Sequence, residues 1–110
     1  MRRFWRLTRL SLAIVAISTV SVPAAEPGNL AEGRRFVQTM CADCHAVGSK
    51  PAPSPVIAAT PFTVVAQATR TTAMSLNAWL SGPHIDMPNL ILSTSDRQNI
   101  IAYILSLKSQ

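Results

Sequence analysis

The only two cysteines of the chain, Cys41 and Cys44, lie three positions apart, and His45 follows the second directly. This pattern limits what the chain can bind. A thioredoxin-like dithiol requires strand–helix–strand surroundings, whereas the sequence shows no alternating strand pattern. A structural zinc site requires four ligands, and His84 alone does not complete them. A disulfide would close a very small loop and stabilise the chain little, so these three uses remain as alternatives.

The same five residues, Cys41-Ala-Asp-Cys44-His45, match the attachment signature of c-type haem. Thioether bonds from both cysteines would fix the porphyrin, and the imidazole of His45 would reach the iron from one face. A domain of about 85 residues is near the size at which a covalent or cofactor staple supplements the core. We therefore predict one covalently bound haem c, with its iron as the only metal and His45 as its first axial ligand.

A six-coordinate haem iron needs a second axial ligand, and thioether, imidazole or solvent are the usual choices. Met87 is the predicted ligand because it lies in a proline-bracketed loop, residues 83–88, downstream of the attachment segment. His84 in the same loop and an open site are the alternatives. Met74 lies in a predicted helix, where methionine is more often core, and Met40 directly precedes the attachment segment and cannot reach the opposite face.

The N-terminus has the pattern of a secretory signal peptide. Four arginines lie within the first ten residues, an apolar run covers residues 10–22, and small residues follow at Ala24 and Ala25. We predict cleavage after Ala24 or Ala25, which leaves residues 1–25 as the signal peptide and residues 26–110 as one periplasmic domain. The apolar run is shorter than the roughly 20 residues that span a bilayer, so no stable membrane insertion is expected after cleavage. An uncleaved anchor is the alternative.

The net charge excludes one class of partner. The chain carries +5, but without the four N-terminal arginines six basic residues remain against five acidic ones, a balance of +1. No basic patch with interleaved aromatic residues is left, so nucleic acid binding is excluded.

Capping patterns predict a helix at each end of the domain. Asn29 followed by Glu32 is typical of a helix start, and this first helix would lead directly into the attachment segment. Ser93 followed by Asp96 predicts the start of a last helix with a broad apolar face, which runs to Lys108, where a cation suits the helix dipole.

Between these two helices the sequence predicts loops and short helices. Proline-rich residues 48–61 favour an extended loop. Thr60 as N-cap predicts a short helix over residues 61–69, and a second is expected over residues 72–81, before a Gly-Pro stop signal. The predicted fold class is therefore all-α.

These motifs resemble the class I c-type cytochromes, small monohaem electron carriers of the bacterial periplasm. The resemblance covers residues 29–107 and rests on Gly33 and Phe36, Cys41-Ala-Asp-Cys44-His45, Met87-Pro88-Asn89-Leu90, and Ala102-Tyr103. It implies the cytochrome c fold, in which the N- and C-terminal helices cross and short helices and loops wrap around one covalently bound haem. It also implies haem attachment outside the cytoplasm, which agrees with the predicted export.

The resemblance assigns roles to single residues. Gly33 would allow the terminal helices to cross closely, with Phe36 and Tyr103 packed at that contact. His45 would be the proximal and Met87 the distal axial ligand of the haem iron.

The resemblance also bears on two residues around the haem, a proline that orients the proximal histidine and Trp79. A proline carbonyl after the attachment segment usually accepts the ring N–H of the proximal histidine. Pro55 is the residue chosen for this role, with Pro51 and Pro53 as alternatives. Trp79 would either donate its indole N–H to a haem propionate or fill the pocket with neighbouring leucines.

One-electron transfer is the predicted function. The sequence contains no acid–base pair, nucleophile triad or phosphate loop, so we expect an electron carrier without a small-molecule substrate rather than an enzyme. Its partners would be redox proteins such as a dehydrogenase, an oxidase or a reductase. The alternatives are a cytochrome subunit of a periplasmic dehydrogenase complex and a haem sensor with an open distal position. Lys50 and Arg70 would either ring the haem edge or form solvated surface.

Overall fold

The structure, a computed structural model, describes residues 18–19 and 28–109. The helices of this part are α1 Leu30–Met40, α2 Phe62–Gln67, α3 Ala73–Leu80 and α4 Thr94–Ser106, followed by a 3-10 turn, Leu107–Ser109. These residues contain no β-strand, which confirms the all-α class. The predicted cleavage at Ala24 or Ala25 and nearly all of the predicted signal peptide lie outside the described residues. None of the described helices combines the length and apolar composition that crossing a bilayer requires.

Helix α1 begins where the capping pattern predicts. The side chain of Asn29 accepts a hydrogen bond from the backbone N–H of Glu32 over 3.0 Å. The reciprocal bond from the Glu32 carboxylate does not form, because the backbone N–H of Asn29 donates to the side chain of Asn99 over 2.7 Å. Glu32 instead lies 3.5 Å from Arg35, as an exposed ion pair. The helix start is thus tied directly to α4.

Helices α1 and α4 make the most extensive contact between any two elements of the described chain. At Gly33 a Cβ atom would lie 2.0 Å from the carbonyl oxygen of Asn99 and 3.0 Å from Cβ of Tyr103. Glycine is therefore required for the close crossing that the sequence predicted. Phe36 packs against the core cluster, and the buried Tyr103 donates its hydroxyl to the carbonyl of Val47.

The core lies between these crossed helices and α2 and α3. Its members are apolar side chains at most 9% exposed, from all four helices, the 3-10 turn and the segment that follows the attachment motif: Val37, Val47, Phe62, Ala66, Leu76, Ile100, Ile101, Tyr103, Ile104 and Leu107. At about 25 cal/mol per Å² of buried apolar surface, such burial is the main stabilising term of a domain this small.

The two short helices differ slightly from their predicted bounds. Helix α2 begins at Phe62 with Pro61 as N-cap, so Thr60 is not the cap, and it ends at Gln67, two residues earlier than predicted. In α3, Thr72 is the N-cap and forms a complete capping box with Ser75.

Helix α4 shows the predicted capping box, in which the side chains of Ser93 and Asp96 each bond the other's backbone N–H. The α-helix ends at Ser106, and the ammonium group of Lys108 donates to the carbonyl of Thr71 over 2.8 Å. This contact fastens the C-terminus to the link between α2 and α3.

Candidate haem-binding site

A cleft of about 650 Å³ brings the attachment segment and the Met87 loop together. Its walls include Cys44 and His45 on one side, Trp79 of α3, and His84 and Met87 of the loop between α3 and α4. The volume is within the range of cofactor and small-ligand sites. The structure therefore places the predicted axial ligands on one cavity, although 42 positions separate them in the sequence.

A second cavity of about 80 Å³ adjoins this cleft and has almost entirely apolar walls. It adds Cys41 to the attachment residues and shares five residues with the cleft: His45, Val65, Leu76, Trp79 and Met87. Its remaining walls come from the apolar side chains of Phe36, Phe62, Leu80, Leu90, Leu92, Ile100 and Ile104. The interior side of the site is consequently a region of low polarity.

The attachment segment continues the end of α1 as a tight turn. Cys41 is the C-cap of the helix, and its carbonyl accepts from the N–H groups of Cys44 and His45 over 3.2 and 2.9 Å. Both thiols are free and partly buried. Burial and, to a smaller extent, the neighbouring Cys44 raise the pKa of the Cys41 thiol to about 11, so this thiol is uncharged at neutral pH.

The ring of His45 is fixed by two contacts. Its Nδ1 atom lies 2.7 Å from the carbonyl oxygen of Thr60, and its ring centroid is 5.2 Å from that of the buried Phe62. A ring N–H that donates to a carbonyl selects the tautomer in which Nε2 keeps its lone pair. His45 is therefore oriented as a metal ligand is, with Nε2 as the available atom.

The prediction that Pro55 supplies this carbonyl is wrong, since Thr60 supplies it. Two backbone hydrogen bonds hold the proline-rich loop, from Val56 to the carbonyl of Cys44 and from Phe62 to that of Ala46. The chain between Val56 and Phe62 turns back, which brings the carbonyl of Thr60 to the imidazole. No side-chain signal marks a backbone acceptor, so the sequence offered no means of finding it.

The Met87 loop makes a sharp turn at the cleft. Asp86 has φ of 64°, in the left-handed region, and the N–H of Met87 points to the carbonyl of His84 at 3.4 Å. A positive φ at the third position of a four-residue turn is typical of type II, and aspartate tolerates it better than most residues. This turn places Met87, which is half-buried, on both cavities.

His84, the alternative axial ligand, lies on the same cleft, and its ring packs against Trp79. Its ring centroid is 4.1 Å from that of Trp79, at an interplanar angle of 45°. Trp79 is 63% exposed, so it is a wall of both cavities rather than a member of the buried core. A hydrogen bond from Trp79 to a propionate stays a prediction.

The two predicted surface cations differ in position. Arg70 lines the cleft, whereas Lys50 does not. Among the residues that line the cleft, Arg70 and Asp86 are the one basic and the one acidic side chain apart from the histidines. The protein side chains of the cleft therefore add no net charge to it.

The donor set at the cleft suits a covalently attached haem. Two thiols, one oriented imidazole and one thioether border a space with mostly apolar walls. In the described ranges no three His, Cys, Asp or Glu side chains are grouped as ligands for a metal ion. The cysteines do not form the alternative disulfide.

An all-α chain with an oriented histidine directly after two attachment cysteines has the architecture of a c-type cytochrome. The cytochrome c family model matches residues 30–108, and the chain belongs to this family as a class I c-type cytochrome. No curated protein and no solved structure matches the chain. Membership identifies the chain as a haem-based electron-transfer protein and a carrier rather than a catalytic enzyme.

Proposed function

We propose that this protein carries single electrons in the periplasm, with its haem iron held between the imidazole of His45 and the thioether of Met87. The observation that carries the proposal is that both side chains line one cleft, the imidazole already oriented by Thr60. When bound, haem c supplies a ferric–ferrous couple, which needs no substrate at the iron.

The chain's own residues would set the properties of that couple. Cys41 and Cys44 would hold the porphyrin through thioether bonds, and Thr60 keeps the imidazole of His45 in one orientation. The apolar walls of the smaller cavity, such as Leu76 and Leu80, exclude water and disfavour the extra charge of the ferric state. Thioether ligation and an apolar site both favour a high reduction potential.

The periplasmic location rests on the signal-peptide pattern of residues 1–25 and on the attachment chemistry of the family. The two support each other, because apocytochrome must be exported before haem attachment. Partners would be redox proteins of that compartment, with no nucleic acid and no small-molecule substrate.

Replacing Met87 by alanine is expected to remove the distal ligand while the haem stays attached. The ferric protein should lose the sulfur-to-iron charge-transfer absorption band, the ferrous protein should bind carbon monoxide readily, and the reduction potential should fall. Spectra and redox titrations of the purified holoprotein measure all three effects.

Two control variants make this test specific. Met74→Ala removes a thioether that is 83% exposed on α3, and His84→Ala removes the alternative ligand; both should keep the charge-transfer band. If the unmutated protein lacked the band, and His84→Ala but not Met87→Ala bound carbon monoxide readily, the distal position would belong to His84. Ready binding of carbon monoxide by the unmutated protein would favour the ligand-binding sensor.

A second candidate, a cytochrome subunit of a periplasmic dehydrogenase complex, is favoured by the apolar rim of the cleft. We define this rim as Val56, Trp79 and Ile85, which line the cleft and are 44%, 63% and 93% exposed. Contiguous exposed apolar side chains are typical of protein contact sites. Elution of haem absorbance and this polypeptide in one large assembly from native extract would support the subunit; elution as a small species would support the free carrier.

The rim should act as the electron-transfer contact, and electron self-exchange between oxidised and reduced copies tests this without a known partner. Because the chain without its four N-terminal arginines has a charge balance of only +1, long-range repulsion between two copies is weak, and the self-exchange rate of the unmutated protein should change less than about twofold between low and physiological salt. Ile85→Lys should slow it about tenfold at low salt, since like charges would meet across the contact.

Ile91→Lys is the matched control for this measurement. Ile91 is 98% exposed and does not line either cavity, so the same added charge should leave self-exchange nearly unchanged. Equal slowing in both variants would mean that the added charge, not the rim, determines the rate.

A further inference from the structure

We propose that Arg97 is a positioning residue that anchors the Met87 loop and so keeps the thioether of Met87 on the cleft. The inference rests on the proposed ligation by Met87. Arg97 lies on the first turn of α4, ten residues after Met87, and no feature of the sequence marks it as part of the site.

The loop that carries Met87 has little internal support. Across residues 82–92, all of which the structure describes, the one backbone hydrogen bond is that from Met87 to His84, at 3.4 Å. These residues belong to no helix and no strand. Their position therefore depends on contacts with the elements on either side.

Arg97 supplies such a contact through its guanidinium group. Nη1 donates to the carbonyl of Leu92 at the end of the loop over 2.8 Å. Nε lies 3.3 Å from the side-chain oxygen of Asn77 on α3, and Nη2 lies 3.4 Å from the hydroxyl of Thr94 on α4. One planar group thus joins the loop to the two helices that flank it.

The end of the loop is also a wall of the site. Leu90 and Leu92 line the smaller cavity together with Met87. A shift of the Leu92 carbonyl would move these side chains and the segment that leads back to Met87. Through this connection Arg97 acts on the distal ligand without touching the cleft, since neither cavity includes it.

The bonds of Arg97 differ from those of an ordinary surface arginine. In the described ranges the one ion pair is Arg35 with Glu32, so the charge of Arg97 serves three neutral acceptors. A hydrogen bond from a charged donor is stronger than one between neutral groups, and Arg geometry allows several at once. Lysine at this position would reach fewer of the three acceptors.

The test compares Arg97→Met, Arg97→Lys and the control Arg35→Met as purified holoproteins. In Arg97→Met, carbon monoxide should bind the ferrous protein about tenfold faster or more, the factor expected when one charge-assisted hydrogen bond is lost. The ferric charge-transfer band should disappear at a lower urea concentration than helix content does. Arg97→Lys should be intermediate, and Arg35→Met, on an exposed part of α1, should match the unmutated protein.

Each outcome decides one point. If Arg97→Met binds carbon monoxide at the unmutated rate, or loses the band only together with helix content, Arg97 has a merely structural role and the inference is wrong. Should Arg97→Met yield no holoprotein, unchanged carbon monoxide binding in Arg97→Lys overturns the inference, and faster binding supports it. Absence of the band in the unmutated protein would instead overturn the ligation by Met87, and this inference with it.

Discussion

Gly33→Ala is expected to destabilise the holoprotein by about 3 kcal/mol or more, at the upper end of overpacking costs. The added Cβ would lie 2.0 Å from the carbonyl oxygen of Asn99 and 2.6 Å from its carbonyl carbon. Both atoms are backbone, so no side-chain rotation relieves the contact and α1 and α4 must separate. Urea unfolding followed by helical circular dichroism should show a lower midpoint with little change in slope.

Gly48→Ala and Gly82→Ala are the matched controls. A Cβ at either position meets nothing within 4 Å, and neither glycine has a positive φ. Each substitution should change stability by less than about 1 kcal/mol, in the stabilising direction, because alanine restricts the unfolded chain. If Gly33→Ala unfolded at the same urea concentration as these controls, the close crossing of α1 and α4 would be wrong.

Replacing both Cys41 and Cys44 by serine is expected to abolish covalent haem and, with it, the folded domain. A domain of this size has a small core, and without haem the apolar walls of the cleft would face water. The free energy of unfolding of small domains is only about 5–15 kcal/mol. Without the contacts that haem makes, we expect the remaining core to be too small to keep the domain folded. Haem staining after denaturing electrophoresis and circular dichroism measure the two losses.

Ala42→Ser provides the control for the serine substitutions. Ala42 lies between the two cysteines and is partly buried, so this change adds a hydroxyl to the same turn without removing a sulfur atom. It should retain covalent haem and the helix content of the unmutated protein. A folded, haem-free double variant would contradict the role of haem as part of the core.

Predictions from short-range patterns agree best with the structure. The N-caps at Asn29 and Ser93 depend on residues three positions apart, and both are confirmed. Glu32 does not complete a capping box, because a distant residue, Asn99, accepts the backbone N–H of Asn29. The start of α2 was displaced by one residue, because the carbonyl of Thr60 bonds His45 and helical structure begins only after Pro61.

The sequence by itself determined the all-α class, the haem attachment segment and the family, because each depends on residue types at close, fixed spacings. Only the tertiary structure decided which distant groups meet: Gly33 with Asn99, His45 with Thr60, and the Met87 loop with Arg97. The physical reason is that these contacts involve backbone carbonyls, which every residue carries alike. Helix packing determines which carbonyl each group meets, and the residue type at that position does not indicate it.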